Sequence, residues 1–191
     1  VSGNGKLSIF EKNGVKVGMT GYCFPYKDGK KDISKDVKAL RDMGCQIVVA
    51  SFHWGSEYRE DFTGEQRTIG RAAIKAGAGG VMVALNSING VPATANTWLM
   101  NTILKEEWGF EGVVISDYNA VGELLRHGVA EEKKEAARLA FDCGCDIEMC
   151  STAYIRYLKD LVEDGTFSIE QIDEAVMRVL KLKADLGLFE D

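Results

Sequence analysis

Residues 113–118 read Val-Val-Ile-Ser-Asp-Tyr, a short β-branched run that ends on a carboxylate. Such a run is typical of a strand that is buried on both faces in a parallel sheet. Functional groups collect at the carboxyl edge of parallel sheets, because the loops there vary while the strands fix position. A carboxylate directly after a buried strand must be paired, bound to a metal or used in chemistry. Asp117 is therefore the leading candidate residue, and the alternative is that it caps a helix beginning at Asn119.

Similar apolar runs alternate with helical periods along the rest of the chain, which is the pattern of β-α units. We expect buried strands at residues 46–51, 81–85 and 145–149. Near the start, two strands flank Lys12-Asn13-Gly14, and Asn-Gly is a strong hairpin signal. The sequence predicts an α/β fold with about five mainly parallel strands and helices, in a partial β/α barrel or an open sheet, with an N-terminal β-hairpin.

Capping signals place several helices between these strands. Ser34 is expected to cap a helix that stops at Gly44. Ser168-Ile-Glu-Gln171 is a capping box and predicts the start of the last helix. The elements follow one another without a Pro-rich linker or a repeat, so we expect a single α/β domain over residues 1–191.

Composition narrows the class of partner. The 191 residues are 46% hydrophobic and 27% charged, the balance of a globular protein with a real core. The net charge of -6 is spread along the chain without a Lys/Arg cluster, so no nucleic acid is expected as a partner, and a neutral or sugar-like substrate fits better. No apolar stretch approaches the ~20 residues that span a bilayer and no signal peptide is recognisable, so we expect no membrane partner and a cytoplasmic location.

No dinucleotide fingerprint, phosphate-binding loop or zinc-protease motif occurs, so no cofactor is predicted. The five cysteines are Cys23, Cys45, Cys143, Cys145 and Cys150. An odd number in a chain of this length argues against a disulfide framework, and we expect reduced thiols. The last three are close enough in sequence to suggest zinc, but no fourth ligand has ordinary spacing, and structural cysteines are favoured.

The part of the chain from about residue 79 to 191 resembles family 3 glycoside hydrolases, and specifically their β-glucosidases. The resemblance rests on several separate sequence words in the family's order and spacing: Asn-Gly-Val-Pro-Ala at 89–93, Trp-Gly-Phe-Glu-Gly at 108–112, Val-Ile-Ser-Asp-Tyr at 114–118, Leu-Leu-Arg-His-Gly at 124–128, Gly-Cys-Asp-Ile-Glu-Met at 144–149 and Leu-Gly-Leu-Phe at 186–189. It implies a glycosidase barrel segment, and it places Asp117 where the family has its catalytic nucleophile.

The same resemblance implies a sugar site around Asp117, with a β-linked glucoside or oligosaccharide as the substrate. Asn86, Tyr118 and Glu148 are the candidate substrate-binding residues, since each lies at the carboxyl end of an expected strand. A retaining glycosidase also needs a carboxylic acid about 5 to 5.5 Å from the nucleophile. In the family this acid usually comes from a domain beyond the barrel, and the family's lysine-histidine and arginine words are absent here. Leu85 is expected to pack in the core, and His127 to be structural or exposed.

The first 78 residues resemble a different family, the CapA-type capsule or poly-γ-glutamate synthesis proteins. The words are Gly-Val-Lys-Val-Gly-Met-Thr-Gly-Tyr at 14–22 and Ser-Phe-His-Trp-Gly at 51–55. That family has a metallophosphatase-like fold, and His53 matches one of its metal ligands. The other ligands of the family have no counterpart, so no metal is predicted and His53 is the one candidate.

The two resemblances together suggest a chimera of segments 1–78 and 79–191. Three functions follow: a β-glucosidase-like fragment that carries the nucleophile, an artificial structural chimera without activity, and a remnant of a metallophosphatase-like protein. About five strands are too few for an eight-stranded barrel, so a sheet edge is left open and a homodimer is compatible with the sequence.

Overall fold

The computed structural model of the protein describes residues 6–23, 32–54 and 62–189. The chain divides into two compact units, Val1–Gly77 and Ala78–Asp191. The division falls one residue before the junction expected between the two sequence segments. The single domain over residues 1–191 stays a prediction.

The first unit contains a three-stranded sheet with the order β1-β2-β3. Strands β1 (Ser8–Lys12) and β2 (Val15–Cys23) form an antiparallel hairpin, and β3 (Ile47–His53) is parallel to β2. Asn13 and Gly14 in the turn have φ values of 51° and 79°. Two consecutive left-handed residues are what a two-residue hairpin turn requires, and Asn-Gly adopts that conformation at low cost. The predicted N-terminal hairpin is confirmed.

Two helices complete the described part of this unit, α1 (Ile33–Asp42) and α2 (Gly64–Lys75). The cap of α1 is Asp32 instead of Ser34, so that prediction was wrong by two residues. The Asp32 carboxylate accepts the Ser34 N–H at 3.1 Å and a second N–H of the first turn at 3.4 Å. Because an ionised carboxylate satisfies two free N–H groups there, the helix begins earlier.

The second unit is built on a three-stranded parallel sheet with β7 in the centre. Its strands are β4 (Gly80–Val83), β7 (Val113–Tyr118) and β8 (Ile147–Met149), and a small antiparallel hairpin is formed by β5 (Ser87–Ile88) and β6 (Val91–Pro92). The helices are a short 3-10 turn at Ala93–Ala95, a π-helix at Trp98–Glu107, α3 (Ala120–Glu123), α4 (Lys133–Asp142), α5 (Ala153–Glu163) and α6 (Ile169–Asp185). The predicted capping box of Ser168 and Gln171 is present at the start of α6.

The fold class is the predicted one. Five strands, β2, β3, β4, β7 and β8, take part in parallel pairing, although they belong to two separate sheets. Within the described residues both sheets are open and no barrel closes. Over the same ranges, no helix combines the length and apolar character needed to cross a bilayer.

A buried carboxylate fixes the approach to β8. The Asp146 side chain is 1% exposed, and its Oδ1 accepts Nε and Nη2 of Arg178 from α6 at 3.0 and 2.8 Å. Its Oδ2 accepts the Val114 N–H at 2.9 Å, while its own N–H donates to the Val114 carbonyl at 2.8 Å. One side chain thus ties β7, β8 and α6 together below the carboxyl edge of the sheet.

Candidate active site

The pairing of β7 with β8 is interrupted at its carboxyl end. Ile115 pairs with Ile147, and further along Tyr118 pairs with Met149. Between these pairs β7 has two residues and β8 has one, which is a β-bulge. Asp117 is the second of the two bulged residues of β7. Bulges bend a strand and re-aim a side chain, and they are common beside active sites.

Asp117 is half-buried at this edge, and its Oδ1 accepts the N–H of Tyr118 at 2.6 Å. The alternative role, a cap for the following helix, is not seen. The N-cap residue of α3 is Asn119, and it makes no side-chain capping bond. The carboxylate of Asp117 therefore belongs to the strand end and its loop, where a ligand can reach it.

A buried hydroxyl spans the bulge. Ser116 is 0% exposed, and its Oγ accepts the Met149 N–H at 2.8 Å and donates to the Asp117 carbonyl at 3.0 Å. On the other side of Asp117, the Asn119 N–H donates to the Met149 carbonyl at 2.8 Å. The nucleophile candidate is held between two connections to the same residue of β8.

Three residues of this edge that are not glycine have left-handed backbones. The φ values are 56° for Asn119, 68° for Cys150 and 62° for Thr152. Asn adopts this conformation readily, whereas a β-branched residue such as Thr does so only at a cost. Strain of this kind persists where the surroundings enforce it, and it clusters at functional sites. The β7-α3 and β8-α5 loops both carry it next to Asp117.

Glu148 lies opposite the bulge and serves the next helix. Its Oε2 accepts the N–H of Tyr154 in the first turn of α5 at 2.8 Å. The Tyr154 hydroxyl in turn donates to the Cys145 carbonyl at 2.8 Å, and burial raises the pKa of this phenol well above its ordinary value. A carboxylate at a helix N-terminus is favourably placed for the free N–H groups and the helix dipole. Glu148 therefore orders the β8-α5 loop, and sugar contact by Glu148 stays a prediction.

The other predicted site residues lie around the same edge. Because Val83 pairs with Ser116, the loop after β4 that carries Asn86 leaves the sheet beside Asp117. Asn86 is exposed, with its Nδ2 donating to the Ser87 carbonyl at 3.2 Å, and Tyr118 is 66% exposed, so both side chains are accessible to a ligand. Leu85, expected in the core, is instead 46% exposed. The topology thus brings Asn86, Asp117, Tyr118 and Glu148 to one edge of one sheet.

The remaining candidates lie elsewhere. His127 is exposed after α3, as expected, and its N–H donates to the Glu123 carbonyl at 3.0 Å. His53 is exposed at the end of β3. In residues 6–23, 32–54 and 62–189, no three His, Cys, Asp or Glu side chains come together in a way that could hold a metal ion. A metal-binding role for His53 stays a prediction.

Cys143 and Cys145 are core residues of the second unit. Cys143 and Cys145 are each 0% exposed, and their thiols donate to the carbonyls of Thr94 at 2.9 Å and Ile147 at 3.3 Å. Burial raises the pKa of both thiols from 9.0 to about 12. Both therefore stay protonated at neutral pH, and neither is poised as a thiolate ligand.

Comparisons with known proteins identify the family of the chain. The family model described as the glycosyl hydrolase family 3 N terminal domain matches residues 59–182. The chain belongs to this family. A second model, the bacterial capsule synthesis protein PGA_cap, matches residues 3–84. Both families predicted from the sequence are thus found, and residues in the second unit form a β-glucosidase-like region.

Individual relatives give the same result. A periplasmic β-glucosidase of Salmonella typhimurium is 44% identical over 121 residues, which are 63% of this chain and 16% of the relative. A β-xylosidase of Formosa agariphila is 40% identical over 128 residues, or 62% of this chain and 18% of the relative. The crystal structure of a Listeria innocua β-glucosidase in complex with isofagomine has a TM-score of 0.70 at 38% identity, covering 83% of this chain and 26% of that one. The chain therefore spans well under a third of each of these relatives.

Proposed function

We propose that Asp117 is the nucleophile of a retaining glycosidase site that accepts β-glucosides. The observation that carries the proposal is the bulge, which presents a half-buried carboxylate at the carboxyl edge of the central strand, inside the segment that matches family 3. Carboxylates are established nucleophiles of glycosidases, and strand ends of parallel sheets are where such groups act.

In the proposed reaction, an Asp117 carboxylate oxygen attacks the anomeric carbon of the sugar. A carbon-oxygen bond forms, the glycosidic bond breaks, and the aglycone leaves with the bonding electrons and must gain a proton. Water then cleaves the glycosyl ester and releases the sugar with retention. Tyr118 offers an exposed ring that can stack on a sugar face, and Asn86 offers an exposed amide for a sugar hydroxyl.

A proton donor for the leaving group is not assigned among the described residues. Glu148 is the neighbouring carboxylate on β8, but its Oε2 is engaged by the Tyr154 N–H. Ordinary glycosides, whose leaving groups need a proton, are therefore expected to react very slowly. A dinitrophenolate leaving group departs without protonation, so an activated substrate isolates the contribution of Asp117.

The experiment uses 2,4-dinitrophenyl 2-deoxy-2-fluoro-β-glucoside. The fluorine slows hydrolysis of the glycosyl ester, so the label accumulates on the nucleophile. We expect the folded chain to release up to one dinitrophenolate per molecule, read by absorbance, and to gain one fluoroglucosyl group by intact mass.

Asp117→Asn removes the nucleophile and is expected to abolish both signals. Asp36→Asn is the matched control, because it makes the same change at a half-buried carboxylate of the first unit and is expected to react like the unaltered chain. Equal labelling of the Asp117→Asn variant would overturn the proposal.

A second proposal concerns the origin of the chain. We infer that it joins a capsule-synthesis-like segment to a glycosidase segment, since the two family models overlap only at residues 59–84 and the compact units divide at Gly77. If the joined chain is an inactive structural chimera, it folds but binds no sugar-shaped inhibitor.

A metallophosphatase-like remnant would instead bind one divalent metal ion per chain, and His53→Ala would abolish that binding. Sedimentation velocity tests the homodimer.

A further inference from the structure

The Ser116 hydroxyl joins two groups that matter for the geometry of the bulge. In a regular parallel ladder, the residue that pairs with Tyr118 makes two backbone hydrogen bonds to β7. Its N–H donates to the carbonyl of Asp117, and its carbonyl accepts the N–H of Asn119. Here that residue is Met149. The Met149 carbonyl accepts the Asn119 N–H at 2.8 Å, as the ladder requires.

A side chain contacts both backbone groups of the other half of this rung. The Met149 N–H donates to Ser116 Oγ at 2.8 Å, and Ser116 Oγ donates to the Asp117 carbonyl at 3.0 Å. The hydroxyl therefore bridges the Met149 N–H and the Asp117 carbonyl, the two backbone groups that face each other in this half of the rung. Because Ser116 is 0% exposed, water does not compete freely for these bonds, and each is fully engaged.

We propose that Ser116 is a positioning residue, whose hydroxyl fixes the bulge between β7 and β8 and thereby the backbone from which Asp117 projects. The proposal rests on the role proposed for Asp117. Side chains of a strand alternate between faces, so even a partial slip of β7 against β8 turns the Asp117 carboxylate away from its position. A misplacement of about 1 Å is enough to slow a reaction strongly.

The test compares Ser116→Ala with Ser151→Ala. Ser151 is 4% exposed, lies in the loop after β8, and accepts the Ala153 N–H at 3.4 Å, so the control removes a buried hydroxyl whose hydrogen bond lies outside the bulge. Ser116→Thr keeps the hydroxyl. The rate of dinitrophenolate release is measured against concentration of the fluoroglucoside, which separates the maximal rate from half-saturation.

We expect Ser116→Ala to lower the maximal rate about ten-fold with half-saturation unchanged, and Ser116→Thr to recover most of the loss. Ser151→Ala is expected to stay within about two-fold of the unaltered chain. Unchanged release by folded Ser116→Ala, or an equal loss in Ser151→Ala, would overturn the positioning role. If Ser116→Ala does not fold, Ser116→Cys replaces it, and a wild-type maximal rate in that variant counts against the proposal.

Amide hydrogen exchange separates this inference from the function on which it rests. If the unaltered chain releases no dinitrophenolate, the proposed function fails. Exchange of the Met149 amide then still tests whether Ser116 fixes the bulge. We expect Ser116→Ala to speed exchange of the Met149 amide at least ten-fold and to shift the amide resonance of Tyr118. A Met149 amide that exchanges as in the unaltered chain would overturn the inference, whatever the activity.

Discussion

Both units contain parallel strands, and the β2-β3 pair of the first unit ends differently from the β7-β8 pair of the second. In the first unit, β2 and β3 keep one register over seven residue pairs, from Val17 with Ile47 to Cys23 with His53. In the second unit, β7 and β8 share a short ladder that a bulge interrupts just before it ends at Tyr118. The regular ladder ends in an exposed histidine, whereas the interrupted one presents a half-buried carboxylate. A departure from regular pairing, more than the presence of a polar residue at a strand end, marks the candidate site.

The largest expected effect comes from Gly112→Ala at the start of β7. A Cβ there would collide with the Gly79 carbonyl oxygen and lie 2.7 Å from Cζ of Phe110. Since a backbone oxygen cannot rotate away, we expect the free energy of unfolding of the second unit to fall by about 3 kcal/mol or more. Urea unfolding followed by hydrogen exchange in the β7 peptides measures it. Gly64→Ala, where a Cβ meets nothing within 4 Å, is the control, and equal stability of both variants would contradict the account.

Asp146→Ala is expected to follow, with a loss of about 2 to 3 kcal/mol. It leaves the Val114 N–H and the Arg178 guanidinium without the carboxylate that binds both. Arg178 is 30% exposed, so water recovers part of the cost. Asp185→Asn is the control, because its pairing with Lys181 is exposed and such pairs contribute roughly 0 to 1 kcal/mol. Chemical denaturation of the two variants side by side decides it, and a difference below about 0.5 kcal/mol would count against the tie between β7, β8 and α6.

Gly18→Ala tests the regular ladder. A Cβ on β2 would lie 2.8 Å from Leu40 Cδ2 and 2.9 Å from Cys45 Sγ, so these two buried side chains must shift. Overpacking of this kind costs about 1 to 3 kcal/mol, and we expect about 2 kcal/mol here. The release of dinitrophenolate at Asp117 is expected to be unchanged under conditions where the variant is folded. Loss of that release in the folded variant would show that the β2-β3 ladder also affects the site at Asp117.

The smallest effect is a pH dependence. The folded chain keeps Cys143 and Cys145 protonated up to about pH 12, whereas the unfolded chain loses these protons near pH 9. The unfolded state thus binds fewer protons above pH 9, and stability falls as the pH rises. By pH 10 each thiol is expected to cost about 1.4 kcal/mol. Urea midpoints at pH 7 and pH 10 measure the slope. Cys143→Ala should reduce it and Cys150→Ala, an exposed position, should not. The same slope in both variants would contradict this cause.

Features that depend on neighbouring residues were predictable from the sequence. The Asn13-Gly14 turn and the Ser168 capping box are set by backbone conformations and bonds within four residues, and both are confirmed. The Ser34 cap failed because Asp32, two residues earlier, offers a stronger acceptor. The apolar pattern over Trp98–Glu107 does not distinguish a π-helix from an α-helix, since either helix presents an apolar face over this length.

The site was predictable only in part. A carboxylate after a buried strand indicated Asp117, and strand topology gathered the other candidates at the same edge. The bulge was missed because it is set by the register between β7 and β8, whose residues are about thirty positions apart. Ser116 was missed with it, although a serine at the last buried position of an otherwise β-branched run is a usable signal, because a buried hydroxyl needs partners.

The most direct test of the account is the position of the covalent label. After reaction with the fluoroglucoside, the chain is digested and the modified peptide is fragmented by tandem mass spectrometry. We expect a single fluoroglucosyl ester, on the side chain of Asp117. A label on Glu148 or any other residue, or no label on a chain that is demonstrably folded, would contradict it.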